Sequence, residues 1–328
     1  MTVPVIDSLA RAYPKTRITV VSRARWALLF AYMPDNVRFV SVDLERAYRG
    51  VFGVFGLFTH LKEEHPDAVA DLHDVMRTQY VRLCFRLSGV RVAYIRKGRA
   101  EKKRLTRRTH KVMQPLASSF ERYLSVFRRL GFEFNLSFRS IYPPTEIPPL
   151  PLPALTEKST DERWLGIAPF AKYPVKTYDP EGMRQVIAAF AGRSGVRVIL
   201  FGGEGGEART LAEWASDYPS VISVAGLLDM RQELALMSRL DVMLSMDSAN
   251  MHLASLVGVP VVSVWGATHP YAGFLGWGQR EEDVVQADLS CRPCSVFGNK
   301  PCYKGTCECM KMLSPDCVIR KIDRYVAG

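Results

Sequence analysis

The chain has 328 residues, a length comfortable for two domains, and its 48% hydrophobic and 10% aromatic content is enough to bury a substantial core. That composition excludes a disordered, collagenous or coiled-coil class. The formal net charge is +11, and nine Lys and Arg stand in RKGRAEKKRLTRRTHK at 96–111 against one acid, Glu101.

The N-terminal MTVPVIDSLARAYPK holds an acid at Asp7 and lacks the basic start and apolar centre of a secretory signal, so a cytoplasmic setting is expected. It reads as an amphipathic helix with Val5, Leu9 and Ala12 on one stripe, followed by a strand at 18–22. A doubly wound sheet ordinarily begins with a strand, so about 15 residues carrying one, with its loop, are expected upstream of Met1. Further buried parallel strands are read at 37–42, 67–73 and 90–95, with helices at 24–33 and 76–87. The apolar run VFGVFGLF at 51–58 falls far short of the ~20 residues that a spanning helix needs.

The basic stretch at 96–111 is either a solvated loop or the meeting place for an anion: nucleic acid, an anionic membrane surface or a phosphorylated substrate. Neither zinc-finger spacing nor an RRM-type aromatic strand pair accompanies it, which disfavours nucleic acid and leaves lipid or phosphosugar. At 141–155, IYPPTEIPPLPLPAL is too stiff and donor-poor for an element interior and marks the boundary between a domain at 1–145 and one at 156–310. Beyond it, strands are read at 164–170, 196–203, 221–226, 241–247, 261–266 and 283–288, with helices near 181–192, 206–217, 230–239 and 249–257. Residues 311–328 read as a last amphipathic helix carrying Val318 and Ile322. This alternation predicts two doubly wound parallel sheets, and ligands of such sheets sit outside the carboxyl ends of the strands. A cleft between two facing sheets is therefore where chemistry is expected.

The densest chemical signal is DVMLSMDSANMHLASLVGVPVVSVWGATHP at 241–270. A strand ends at Asp247, Ser248 takes the N-cap position, and Met251, Ala254 and Leu256 bury the helix that follows. Exposed N–H groups and the positive end of the helix dipole suit a diphosphate there, with His252 one turn in to donate to a phosphate oxygen. The plainer alternative is a simple cap followed by a core or surface histidine.

MDSANMHLASLVGVPVVSVWGATHP resembles the signature of the ADP-heptose:lipopolysaccharide heptosyltransferases, glycosyltransferase family 9: D-[ST]-G-x-x-H-x-A-x-x-x-G-x-P-x-[VI]-x-x-[FW]-G-x-T-x-P. The departures are Ala249 for glycine, Ala267 for proline and His269 for aspartate. Weaker similarity covers PVIDSLARAYPKTRITVVS, DLHDVMRT, ERYLSVFRRLGF, the Lys176 segment and LFGGEGGEA. The resemblance implies a GT-B fold, two Rossmann-like doubly wound domains facing a central cleft, with acceptor on the first and nucleotide sugar on the second. It also implies a final helix at 311–328 that crosses back to the first domain.

On that resemblance the donor is held by Lys176, Glu207, Asp247, Ser248, Ala249 and His252, with Lys176 and the helix N-terminus stabilising the charge that develops on the leaving diphosphate. No Asp-x-Asp pair stands at a strand end, so transfer without a metal cofactor is expected. The family's base is an aspartate in a Gly-Asp loop just before the helix matching residues 1–12. Within the chain, Asp71 and His73 are the stand-ins for that base, while His73, Arg77, Lys102, Lys103 and Arg104 are candidates for binding acceptor. The implied activity is inverting transfer of heptose from ADP-heptose to a phosphorylated inner-core lipopolysaccharide acceptor, at the inner-membrane surface. A catalytically silent or truncated sugar-nucleotide-binding relative, or a member with another donor sugar, is the alternative.

Six of the seven cysteines crowd into 291–317. Cys291-x-x-Cys294 is a metal-ligand knuckle, and Cys302, Cys307 or Cys309 can complete a thiolate tetrahedron for structural zinc. Reduced thiols in a packed loop, or disulfides, are the alternatives.

Overall fold

The computed structural model describes residues 1–143, 146–150, 152, 155 and 158–327. The chain divides into two compact units, Met1–Arg99 with Ala117–Ile141, and Ala100–Leu116 with Tyr142–Gly328. The predicted proline-rich boundary falls partly on residues 144, 145, 151, 153 and 154, and the start of the second domain on 156, all outside the described residues. Most of the basic stretch, read with the first domain from sequence, clusters with the second unit.

In chain order the first half runs α1 (Val3–Ala12), β1 (Ile18–Ser22), β2 (Val37–Ser41), α2 (Gly50–Lys62), β3 (Ala68–Asp71), α3 (Met76–Leu87), β4 (Arg91–Tyr94), α4 (Arg99–Leu105) and α5 (Ser119–Arg128). All four strands stand where periodicity puts them. The helix expected at 24–33 is instead a 3-10 segment, Ala24–Phe30, and the apolar run at 51–58 forms most of α2. One doubly wound sheet was expected here. The described residues form two separate parallel ladders, β1 with β2 and β3 with β4, in which each strand finds a single neighbour. Ile18 stands opposite Val37 and Ala68 opposite Arg91. Helices α2 and α3 enclose a core of Leu57, Phe58, Val81 and Phe85, while α5 contributes Val126 to a second cluster with Ala93 and Ile95. Helix α5 starts with a reciprocal cap: Glu121 N–H donates to Ser118 Oγ at 3.1 Å, and Ser118 N–H to Glu121 Oε2 at 2.5 Å.

The second unit is built on β5 (Arg163–Ala168), β6 (Val196–Leu200), β7 (Val221–Ser223), β8 (Val242–Met246), β9 (Val261–Trp265) and β10 (Val284–Gln286). Its connecting helices are α6 (Pro180–Ala191), α7 (Gly206–Ser216), α8 (Met230–Met237) and α9 (Ala249–Leu256). All six strands are parallel, in the order β10-β9-β8-β5-β6-β7. Strands β8 and β9 are buried along their whole length, as expected where helices cover both faces, and this is why they read as unbroken apolar runs. After α10 (Glu308–Lys311), α11 (Pro315–Val326) closes the chain. Its stripe of Val318, Ile322 and Val326 lies in the same core as Leu165, Ile167 and Val186. Its apolar face is thus buried against its own sheet. Among the described residues no helix is long and apolar enough to cross a membrane.

Candidate functional site

Strand β5 is central: the chain moves outward from it to β6 and β7, then returns to β8 on its other side and continues to β9 and β10. Beyond the carboxyl ends of β5 and β8 the connections therefore diverge, and the crevice between them is the switch point where doubly wound sheets bind ligands. The turn Pro174–Lys176 follows β5 and Asp247 follows β8. There Lys176 Nζ lies 2.9 Å from Asp247 Oδ2, and both side chains are largely buried. Thr268 Oγ1 donates to the same Oδ2 at 2.7 Å. Ala267 N–H donates to Val175 O at 3.2 Å, a tie to the Lys176 turn that the family's proline could not supply. A Cβ on Gly298 would stand 2.4 Å from Lys176 Cδ, so the lysine stem occupies the space left by this residue, whose φ is +75°.

Ser248 has extended backbone ahead of α9, but its side chain accepts no capping N–H; its Oγ lies 3.2 Å from Ser245 Oγ. Helix α9 therefore begins, at exposed Ala249, without the side-chain cap that the plainer sequence reading had supposed. His252 sits one turn in with Nδ1 enclosed and unpartnered, and burial, aided by the Lys176 ammonium, pushes its pKa down to about 3. The ring is neutral at physiological pH and has an N–H to donate. His269 Nδ1 accepts from Tyr271 N–H at 3.1 Å, doing as an acceptor what a carboxylate would do at that place.

Glu207 lies in the first turn of α7, and its Oε2 accepts from Gly203 N–H at 2.7 Å. The carboxylate folds back on the glycine loop, which Gly205, at φ +75°, turns into the helix.

In the first unit Asp71 is committed. Its Oδ1 accepts from the N–H groups of His73 and Asp74, each at 2.9 Å, and its Oδ2 from Arg82 at 3.1 Å. Arg82 also reaches Asp74 Oδ1 at 3.0 Å and lies over the Tyr94 ring. Asp74, unnoticed in the sequence, thus shares this knot. His73 is exposed, and partial burial with nearby Lys97 lowers its pKa; Arg77 is close enough to act in the same direction. Of the basic stretch, Lys102 is buried with its ammonium 4.2 Å from the Phe274 ring centre, whereas Lys103 and Arg104 are exposed. Lys111 donates to Cys291 O and Pro293 O, and Arg108 stacks over Tyr303. The stretch is a pinned helix and strap, not a free loop.

Cys291, Cys294, Cys302, Cys307 and Cys309 line one small cavity together with Arg292. All are free thiols, and among the described residues no three His, Cys, Asp or Glu side chains are arranged to hold a metal ion; Cys291, Cys294, Cys302 and Cys307 nonetheless share the cavity wall. Arg292, whose part the sequence did not reveal, donates to the carbonyls of Gly266, Trp265, Thr268 and Ala287 and so holds the loop after β9.

Residues 54–302 match the model of glycosyltransferase family 9 (heptosyltransferase). The chain belongs to glycosyltransferase family 9. Lipopolysaccharide heptosyltransferase 3 of Escherichia coli is 24% identical over 275 residues, 82% of this chain and 80% of that protein. Among solved structures, a family 9 glycosyl transferase from Veillonella parvula superposes with a TM-score of 0.69 at 18% identity, covering 99% of this chain and 93% of the other. The E. coli heptosyltransferase WaaC, solved with ADP-2-deoxy-2-fluoro heptose, gives 0.65 at 18% identity over 98% and 94%. The fold of this glycosyltransferase is accordingly the α/β fold of the GT-B heptosyltransferases.

Proposed function

We propose that this glycosyltransferase moves heptose from ADP-heptose to a phosphorylated inner-core lipopolysaccharide acceptor, with inversion and without a metal ion. The observation that carries the reading is the buried Lys176–Asp247 pair beside the uncapped start of α9. Cleavage of the bond from anomeric carbon to phosphate oxygen leaves negative charge on ADP. A fixed ammonium, open helix N–H groups and the neutral His252 N–H meet that charge without reorganising, which favours the transition state over the ground state. Asp247, anchored by Thr268, keeps the ammonium in place between turnovers. Glu207 is assigned to the nucleoside ribose, Ser248 and Ala249 to the diphosphate, and His73, Arg77, Lys103 and Arg104 to the anionic acceptor. Support comes from the family match and from the ADP-heptose analogue held by a relative of the same fold.

The test is a calorimetric titration with ADP-heptose, ADP, UDP and GDP, followed by mass analysis of the acceptor. Adenine-selective binding that weakens in Lys176→Met, with a heptose-sized mass gain, is the expected result. Preference for uridine or guanosine diphosphate would move the donor, and adenine-selective binding without transfer would make the protein a silent sugar-nucleotide binder.

A further inference from the structure

Helix α3 is apolar on two opposite faces. Val81 and Phe85 point into the core, where the Phe85 ring meets Phe58 of α2 edge-on at 5.0 Å. Met76, Tyr80, Leu83 and Leu87 follow at i, i+4, i+7 and i+11, a single narrow stripe on the other side, and all four are exposed: Met76 by 87% and Leu87 by 79%. Helix α2, packed against α3, also exposes apolar side chains. Leu57 and Phe58 are buried while Val51, Phe52 and Phe55 share an outer arc, with Phe52 93% exposed. Large apolar side chains exposed on two adjacent helices mark a contact surface.

The charge on these helices selects the occupant. Neither α2 nor α3 contains an Asp or Glu; apart from Arg82, which is spent on Asp71 and Asp74, they carry Lys62, Arg77 and Arg86, with Arg46 and Arg49 just ahead of α2. Of the acids that flank them, Glu45 pairs with Arg23, Glu64 with Arg38, and Asp74 with Arg82 and Arg99, while exposed Glu63 lies 3.7 Å from His60. A second copy of the chain docked face to face would set these cations against themselves. An anionic bilayer accepts both features at once, taking the apolar stripes into the acyl boundary while Lys and Arg heads rise to the phosphates.

We propose that the outer faces of α2 and α3 form an interfacial docking surface for a bilayer containing anionic lipid. It shares with the proposed function only the expectation that the acceptor is carried on lipid, and it can be tested without donor or acceptor. In flotation with vesicles of phosphatidylglycerol and phosphatidylcholine, the full chain should rise with the lipid, more weakly with phosphatidylcholine alone and less at high salt. The double variant Phe52→Glu with Leu83→Glu should lose at least tenfold in vesicle affinity, and Arg86→Gln should lose part of the preference for anionic lipid, both with unchanged circular dichroism and ADP binding. Failure of the wild type to bind either vesicle, or equal binding by the double variant, would overturn the proposal. So would a dimer in sedimentation that the double variant dissolves, since that would give the stripes to a second copy. Loss of transfer with vesicle binding intact would count against the proposed function alone.

Discussion

Lys176 and Asp247 come from turns after different strands, yet their charged atoms stand 2.9 Å apart because β5 and β8 are neighbours in the sheet. The pair is buried enough that removing one member leaves the other uncompensated. Lys176→Met is expected to weaken ADP binding ten- to a hundredfold, the cost of about 1.5–3 kcal/mol for a charge-assisted contact, and to lower turnover further. Asp247→Asn should preserve shape and cost less in ADP affinity. Titration calorimetry on both variants decides it; identical ADP affinity in Lys176→Met would remove the lysine from the site.

Gly298 sets where the lysine stem runs. Gly298→Ala places a methyl group on that stem and strains a left-handed backbone, so Lys176 must shift. An affinity loss for ADP of about tenfold, roughly 1.4 kcal/mol, is expected with the secondary structure retained. A variant that unfolds instead would show up in circular dichroism before any titration.

Burial holds His252 down to about 3 and His269 down to about 4, both below the ordinary 6.5. Such a ring contributes stability in full above pH 6.5, and that stability falls away toward the folded value because the unfolded chain takes up the proton first. The slope approaches about 1.4 kcal/mol per pH unit per ring. Glu233 works in the opposite direction: burial and then Asp229 push it up to about 7, so its contribution is present below 4.5 and lost as pH rises toward 7. Thermal melts of His269→Asn, whose amide oxygen can still accept from Tyr271, should show a shallower acid limb between pH 6 and 4. Those of Glu233→Gln should be flatter from 4.5 to 7. An acid limb as steep as wild type in His269→Asn would refute the assignment.

The thiols around Arg292 differ in reactivity. Burial opposes ionisation of Cys302, but backbone N–H groups of Cys307, Lys304 and Gly305 outweigh it and lower its pKa. Cys309 is pushed up to about 11, chiefly by burial. Since the thiolate is the nucleophile, brief iodoacetamide treatment should modify Cys302 well before Cys309. Peptide mass mapping reads the order, and prior labelling of Cys309 would reverse it.

Strand positions in the second half were legible because a parallel strand buried on both faces must be apolar throughout, and those in the first half because short β-branched runs stand between longer helical patterns, both properties of a few adjacent residues. The run from Asp247 to Pro270 was legible for the same reason: strand, turn, helix and strand follow without interruption. Less local matters were not. Asp71 looked available until the fold wrapped Arg82 and two backbone N–H groups around its oxygens. Lys102 looked like a surface cation until Phe274 came to lie against it.

By itself the sequence determined the alternation of elements, the family signature and the location of the strand-to-helix turn at Asp247 and Ser248, all of which depend on short-range period and spacing. The tertiary structure alone decided that Lys176 meets Asp247, that the last helix is spent on its own sheet and that β1 to β4 pair as two ladders. Each of these depends on which strands become neighbours, a choice set by burying whole faces together and invisible in any single window of the chain.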